Sequence, residues 1–100
     1  MYIHKGWSFE WDSAKAGANA RKHGVSFQEA SSVFEDFKGL DWDDREHSIT
    51  EERRKRVGTS EAQSPVMVVY TRRMSHGEEK IRIISARPAS FWERENYSRQ

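Results

Sequence analysis

Gly24 stands between two stretches whose patterns each specify a helix, and it limits the fold more than any other residue. Before it, Asp12 or Ser13 can cap a helix running through Ala14, Lys15, Ala16, Ala18, Asn19 and Ala20 to His23. Glycine supplies the left-handed backbone that ends a helix, and Lys22 and His23 suit the negative end. After it, Ser26 and Glu29 have the spacing of a capping box, with Val25 and Ala30 as its staple. Phe27, Ala30, Val33, Phe34 and Phe37 give this second helix its apolar side. A short alternating strand, Ser8-Phe9-Glu10-Trp11, precedes the helical hairpin.

From Gly39 onward the period changes. Leu40-Asp41-Trp42 reads as a strand, Asp43 to Ser48 as a polar loop, and Arg53 to Val57 as a strongly basic strand. Ser60 to Pro65 is a turn, followed by Val66-Met67-Val68-Val69-Tyr70, the most strand-like run in the chain. Ser75-His76-Gly77 turns it back into Lys80-Ile81-Arg82-Ile83-Ile84-Ser85. The spacing predicts an antiparallel meander of three or four strands. Pro88 should block its continuation, and Ser90 with Glu93 forms a second capping box opening a final helix with Phe91, Trp92, Arg94 and Tyr97. The order strand, two helices, strands, helix predicts an α+β fold with the first two helices on one sheet face.

Length and charge narrow the function classes. One hundred residues make one domain, 1–100, and no apolar run approaches the ~20 residues of a bilayer helix. Ile, Leu, Val and Phe number only 17, so the core must be small and lean on the 12 aromatic residues. The first residues lack the apolar segment of a secretory signal, which makes the cytosol the expected compartment. With no cysteine, thiolate metal sites and a Cys nucleophile are excluded. His4, His23, His47 and His76 never lie three or four residues apart, so no metal or cofactor is expected. Net charge is +1, but residues 1–50 hold 6 basic and 9 acidic side chains, and residues 51–100 hold 11 and 7. Such a split suggests one surface for an anion and another for something basic.

Cations on strands are the remaining chemistry. If Ile81 and Ile83 pack beneath the helices, Arg82 stands on the opposite, uncovered face. Val68 and Tyr70 share one face of their strand, Val69 and Thr71 the other, with Arg72 and Arg73 at its end. Together with Arg53, Arg54 and Arg56 these residues could make a platform for single-stranded RNA, where guanidinium binds phosphate and rings stack on bases. Solvated arginines guarding sheet edges would have the same sequence.

Two separated motifs carry a resemblance. Phe9-Glu10-Trp11-Asp12, Lys15, Asn19, Lys22 to Phe27, Glu29-Ala30 and Val33-Phe34 open it. Val69-Tyr70-Thr71, Ile81 to Arg87, Ala89-Ser90, Glu93-Arg94 and Tyr97 close it. Over about residues 8–98 the chain resembles the BrnT family. The resemblance implies a toxin of a type II toxin–antitoxin pair, with a RelE-like fold, that cuts RNA and stops translation. It further implies a small antitoxin partner with a ribbon-helix-helix domain, contact with operator DNA only through that antitoxin, and leaves a homodimer open. Phe91-Trp92 stand where relatives are rich in arginine, and core is the leading expectation for the pair.

RNA cleavage by internal attack needs a base for the 2′-hydroxyl, a cation for the pentavalent phosphate and an acid for the leaving oxygen. Arg82 and Arg87 are the expected phosphate ligands, because a planar fork grips two oxygens. Tyr97 and His23 are the candidate proton carriers, and Glu93 is an alternative base or an orienting partner for an arginine. Each also has a structural use: Tyr97 in closing the core, His23 and Glu93 in capping helices. A non-catalytic module that acts only through its antitoxin is the rival class.

Overall fold

A computed structural model describes residues 2–4, 6–47 and 51–99. Strands β1 (Tyr2–His4) and β2 (Trp7–Glu10) form a hairpin, followed by helices α1 (Ser13–His23) and α2 (Phe27–Ser32) and a 3-10 turn, Val33–Glu35. Strand β3 (Leu40–Asp43) leads through a 3-10 turn, Arg45–His47, to β4 (Arg54–Thr59), β5 (Pro65–Ser75), β6 (Glu78–Pro88) and helix α3 (Phe91–Ser98). The six strands make one mixed sheet in the order β1-β2-β6-β5-β4-β3. Strands β3 to β6 are the expected antiparallel meander, and β2 joins β6 in parallel, Phe9 beside Ile81 and Glu10 beside Arg82. The fold is α+β, as the element order predicts.

The helical hairpin forms for the reasons its sequence gives. Asp12 accepts the Lys15 N–H at 2.9 Å, and Gly24 closes α1 at φ +72° with its N–H on the Ala20 carbonyl. Only half of the box at Ser26 forms. Ser26 Oγ accepts the Glu29 N–H at 3.0 Å, but the Glu29 carboxylate instead takes the Ser60 hydroxyl at 2.7 Å. A hydrogen bond to the turn between β4 and β5 has displaced the local one. Helix α2 also stops at Ser32, earlier than its apolar pattern suggests, which leaves Phe37 89% exposed. Ser31 and Ser32 turn their hydroxyls back onto the Gln28 and Glu29 carbonyls, a local bond that weakens a helix.

Both helices cover one face of the sheet. Phe9, Val25, Phe27, Ala30, Val33, Phe34, Val68, Tyr70, Ile81 and Ile83 form the main core there. Phe34 is its hub, edge-on to Phe9 (ring centroids 5.4 Å apart) and to Tyr70 (4.9 Å). At this size the core depends on such aromatic pairs, each contributing about 1 kcal/mol beyond its buried area. On the second face Val57, Met67 and Val69 make a smaller cluster capped by Ile84, Ala89 and Tyr97. That face is therefore not wholly uncovered, because α3 lies against one end of it.

Other expectations are corrected. The first strand begins at Trp7 and ends at Glu10, and Trp11 packs edge-on to Phe27 at 5.8 Å. The β1–β2 hairpin, turning at Gly6 with φ +87°, had no period long enough to announce it. Pro88 ends β6 as expected, but as the strand's own last residue, three beyond Ser85, tolerated because the strand needs no donor there. Phe91 and Trp92 are not core: each is 69% exposed. Asp43 belongs to β3, and Ser48 at the end of the expected loop lies outside the described residues, as do the side chains of His4 and His47. No helix among the described residues is long and apolar enough to cross a membrane.

Candidate active site on the second face of the sheet

A bulge in β6 builds the site. Val69 pairs with Ser85 and Tyr70 with Ile83, so Ile84 has no partner across the ladder. In a regular strand, residues five apart point to opposite faces. The extra residue restores the phase: Arg82 lies opposite Thr71 and Arg87 opposite Met67, both on the second face.

Arg87 is fixed from two sides. Its Nη1 and Nη2 donate to Glu93 Oε1 and Oε2, each at 2.8 Å, and Nη1 also donates to the Pro88 carbonyl at 3.2 Å. Three of the five N–H donors of the guanidinium are then used, and the Nε–H with the second Nη2 hydrogen remains as an intact fork. Glu93 is held in turn by the complete capping box at Ser90, whose N–H it accepts at 2.8 Å. Burial alone would raise the Glu93 carboxyl, but the bonds from Arg87 and Ser90 outweigh it and leave its pKa below the ordinary value. A carboxylate so held is a poor base and a good orienting partner.

Asn19 brings His23 to the same place. Strand β2 pairs with β6 only at residues 81 and 82, leaving the upper edge of β6 open. Into that edge the buried Asn19 amide inserts, donating to the Ala86 carbonyl at 2.8 Å and accepting the Ala86 N–H at 3.2 Å. The same nitrogen donates to the Val25 carbonyl at 3.1 Å, which ties the connection between the helices to β6. The side chain stands in for the missing strand, and α1 delivers His23 one turn further on.

A cavity of about 370 Å³ results, with His23, Asp44, Arg53, Lys55 and Arg87 around a floor of Met67, Val69 and Ile84. Four cationic or imidazole groups from three parts of the chain converge over apolar ground. An anion placed there meets several positive charges, with the buried Asp44 carboxylate as the one acidic group in the lining. Among the described residues, no three His, Asp or Glu side chains gather as metal ligands would.

The remaining expected site residues lie elsewhere. Arg82 sits on the same face but outside the cavity, paired with Glu10 Oε2 at 2.8 Å, and Arg73 reaches the same oxygen at 3.9 Å. Tyr97 gives its hydroxyl to Asp36 and lies 3.0 Å from Thr59 Oγ1, its ring against the second cluster. Burial, then the Asp36 carboxylate, raises its pKa, so it keeps its proton. Arg54 and Arg56 point to the helix-covered face: Arg54 Nε donates to Asp41 at 2.7 Å, and Arg56 donates to the Asp36 carbonyl at 2.8 Å with its guanidinium 5.6 Å over the Phe34 ring. Arg72 pairs with Glu52 at 3.0 Å. Lys55 and Asp44, which sequence reasoning passed over, line the cavity instead. For Lys55 a signal existed, since alternation from Val57 puts it on the opposite face from Arg54 and Arg56.

Fold and cavity together define a small α+β protein with one pocket whose charged lining is mainly basic, His23, Arg53, Lys55 and Arg87 beside Asp44. The chain belongs to the BrnT family, described as the ribonuclease toxin, BrnT, of type II toxin–antitoxin systems, whose family model matches residues 11–93. Its fold is shared with the crystal structure of the ribonuclease toxin BrnT of Brucella abortus, at 21% identity and a TM-score of 0.60, over 84% of this chain and 97% of that one. No curated protein matches the chain.

Proposed function

We propose that this chain is a metal-independent endoribonuclease that stops translation in the cytoplasm, and that the cavity beside Arg87 is its active site. The Arg87 fork carries the reading. Held by Glu93, it presents two parallel N–H groups at a fixed angle, the arrangement that suits two phosphate oxygens. Arg53 and Lys55 add charge from the far wall. In the proposed reaction the 2′-oxygen loses its proton to His23 and attacks phosphorus. The bond from phosphorus to the 5′-oxygen breaks, and that oxygen takes a proton from Lys55, leaving a 2′,3′-cyclic phosphate and a 5′-hydroxyl. Arg87 and Arg53 stabilise the extra negative charge of the pentavalent state.

The partner is an antitoxin with a ribbon-helix-helix domain, through which operator DNA is reached. It neutralises the toxin by covering the cation-bearing face. The experiment is cleavage of a defined RNA by purified protein, with and without EDTA, with the products' ends identified. Cyclic phosphate ends and indifference to chelator are expected. Protein that binds its antitoxin but leaves RNA intact would favour a purely binding role.

A further inference from the structure

A second cavity, about 340 Å³, opens beside the first and shares His23 with it. The end of β6 passes from one to the other: Ala86 and Arg87 line the first cavity, Pro88 and Ala89 the second. Two extended residues span only ~7 Å, within the reach of one nucleotide from its phosphate to its base. Val25, Val66, Pro88 and Ala89 give the second cavity apolar walls, and Glu29 and Arg94 are its charged groups. Glu29 Oε2 holds the Ser60 hydroxyl at 2.7 Å, while Oε1 accepts no hydrogen bond among the described residues. Arg94 bonds through its backbone to Ser90, and its guanidinium has no ion-pair partner among the described residues.

We propose that this cavity binds the base next to the scissile phosphate and selects guanine, an inference that rests on the ribonuclease reading above. Guanine is the base with two adjacent N–H donors on one edge, N1 and N2, and with acceptors O6 and N7 beyond them. A carboxylate takes the donor pair and a guanidinium gives to the acceptors. Adenine would turn the lone pair of N1 towards the Glu29 carboxylate. Cytosine offers one amino group with the N3 acceptor beside it, and uracil a single N–H between two carbonyl acceptors. The apolar walls suit the faces of a planar ring, and Ser60 fixes the carboxylate before the base arrives.

The test uses RNAs identical except at one nucleotide, together with equilibrium binding of guanosine and adenosine monophosphates to the whole protein. Wild-type protein should cut beside guanine about 10–100-fold faster than beside adenine. Glu29→Gln keeps the Ser60 bond through its amide oxygen but replaces an acceptor by a donor. Its preference should shrink to within a few-fold. Arg94→Ala should reduce the preference less, because it removes the contact to O6 and N7 and leaves the donor pair engaged. Cleavage without base preference would overturn the guanine site and leave the ribonuclease reading standing, as would a preference untouched by Glu29→Gln. If wild-type protein cuts no RNA, mononucleotide binding decides. Tighter binding of the guanosine form that is lost in Glu29→Gln would uphold the site while the ribonuclease reading falls, and equal binding of the two would overturn it.

Discussion

Arg82 and Arg87 are five residues apart in one strand and stand on the same face of the sheet, because Ile84 is bulged out between them. Their surroundings nonetheless differ. Arg82 is held by Glu10 outside the cavity, whereas Arg87 lines it and keeps two N–H groups that bond to none of the described residues. Arg87→Ala should therefore lower cleavage by ~10²-fold or more, and Arg87→Lys should restore only part of that. Arg82→Ala should cost less than tenfold. Glu93→Gln should cost about tenfold through misorientation of Arg87. In the double variant with Arg87→Ala its effect should vanish. Single-turnover cleavage rates, with circular dichroism as the folding control, decide it, and equal losses at Arg82 and Arg87 would move the site along the strand.

Asn19 ties α1 to the open edge of β6 through both backbone groups of Ala86. Asn19→Ala strands a buried N–H and C=O and should destabilise the fold by about 3 kcal/mol. It should also slow cleavage, since His23 and Arg87 are aligned through this link. Urea denaturation checks the first effect and cleavage well below the new midpoint the second. A loss of stability at the level of an ordinary surface change would show that water replaces the amide.

Ser26→Ala removes the acceptor for the Glu29 N–H and should cost about 1 kcal/mol with cleavage unchanged. Only this half of the cap is at stake, because the Glu29 side chain is engaged with Ser60. An unchanged denaturation midpoint would contradict the cap.

Tyr70 should make the fold sensitive to alkali. Burial, then the Asp41 carboxylate that accepts its hydroxyl, pushes its pKa from 10.0 up to about 12. The folded state holds this proton more tightly than the unfolded chain, so the contribution is complete below pH 10 and is lost as pH rises through about 12. The shift corresponds to roughly 2–3 kcal/mol. Stability measured by urea at successive alkaline pH values should fall more steeply for wild type than for Tyr70→Phe. Parallel curves would show that the phenol titrates normally.

Antitoxin and RNA should compete. If the antitoxin covers the second face with an interface of standard size, ~1,600 Å², the complex should elute as one species in size-exclusion chromatography and fail to cut RNA. Separate elution at micromolar concentration would contradict the pairing.

What was legible in the sequence was local. Asp12, Gly24, Ser26 and Ser90 act at the helix ends as their types require, because capping depends on neighbours within a few residues. Alternation placed Ile81 and Ile83 on the core side and Arg82 opposite. Alternation could not locate the bulge at Ile84, since any one of several apolar residues could be the extra one. Nor did a basic run reveal its partners. Asp41 and Asp43 alternate as Arg56 and Arg54 do, and register sets each pair side by side across β3 and β4. Opposite charges matched at period two mark a cross-strand ladder, and that signal was available. The cavity needs α1, β4 and β6 to converge, which no local pattern records.

The position of β6 carries a consequence for how the molecule comes into being. It is made last of the strands, yet it lies between β2 and β5, and Asn19 and Phe9 both find their partners on it. During synthesis the amino-terminal hairpin and helices can meet Val68 and Tyr70 of β5 first, but their core stays incomplete until Ile81 and Ile83 have left the ribosome. Long-range closure of this kind is slow compared with the formation of local contacts. Arg87 and Glu93 come later still. A nascent chain long enough to show its helices is not yet able to hold the Arg87 fork, so the hazardous chemistry proposed for this protein is deferred until Glu93 has joined Arg87 outside the ribosome.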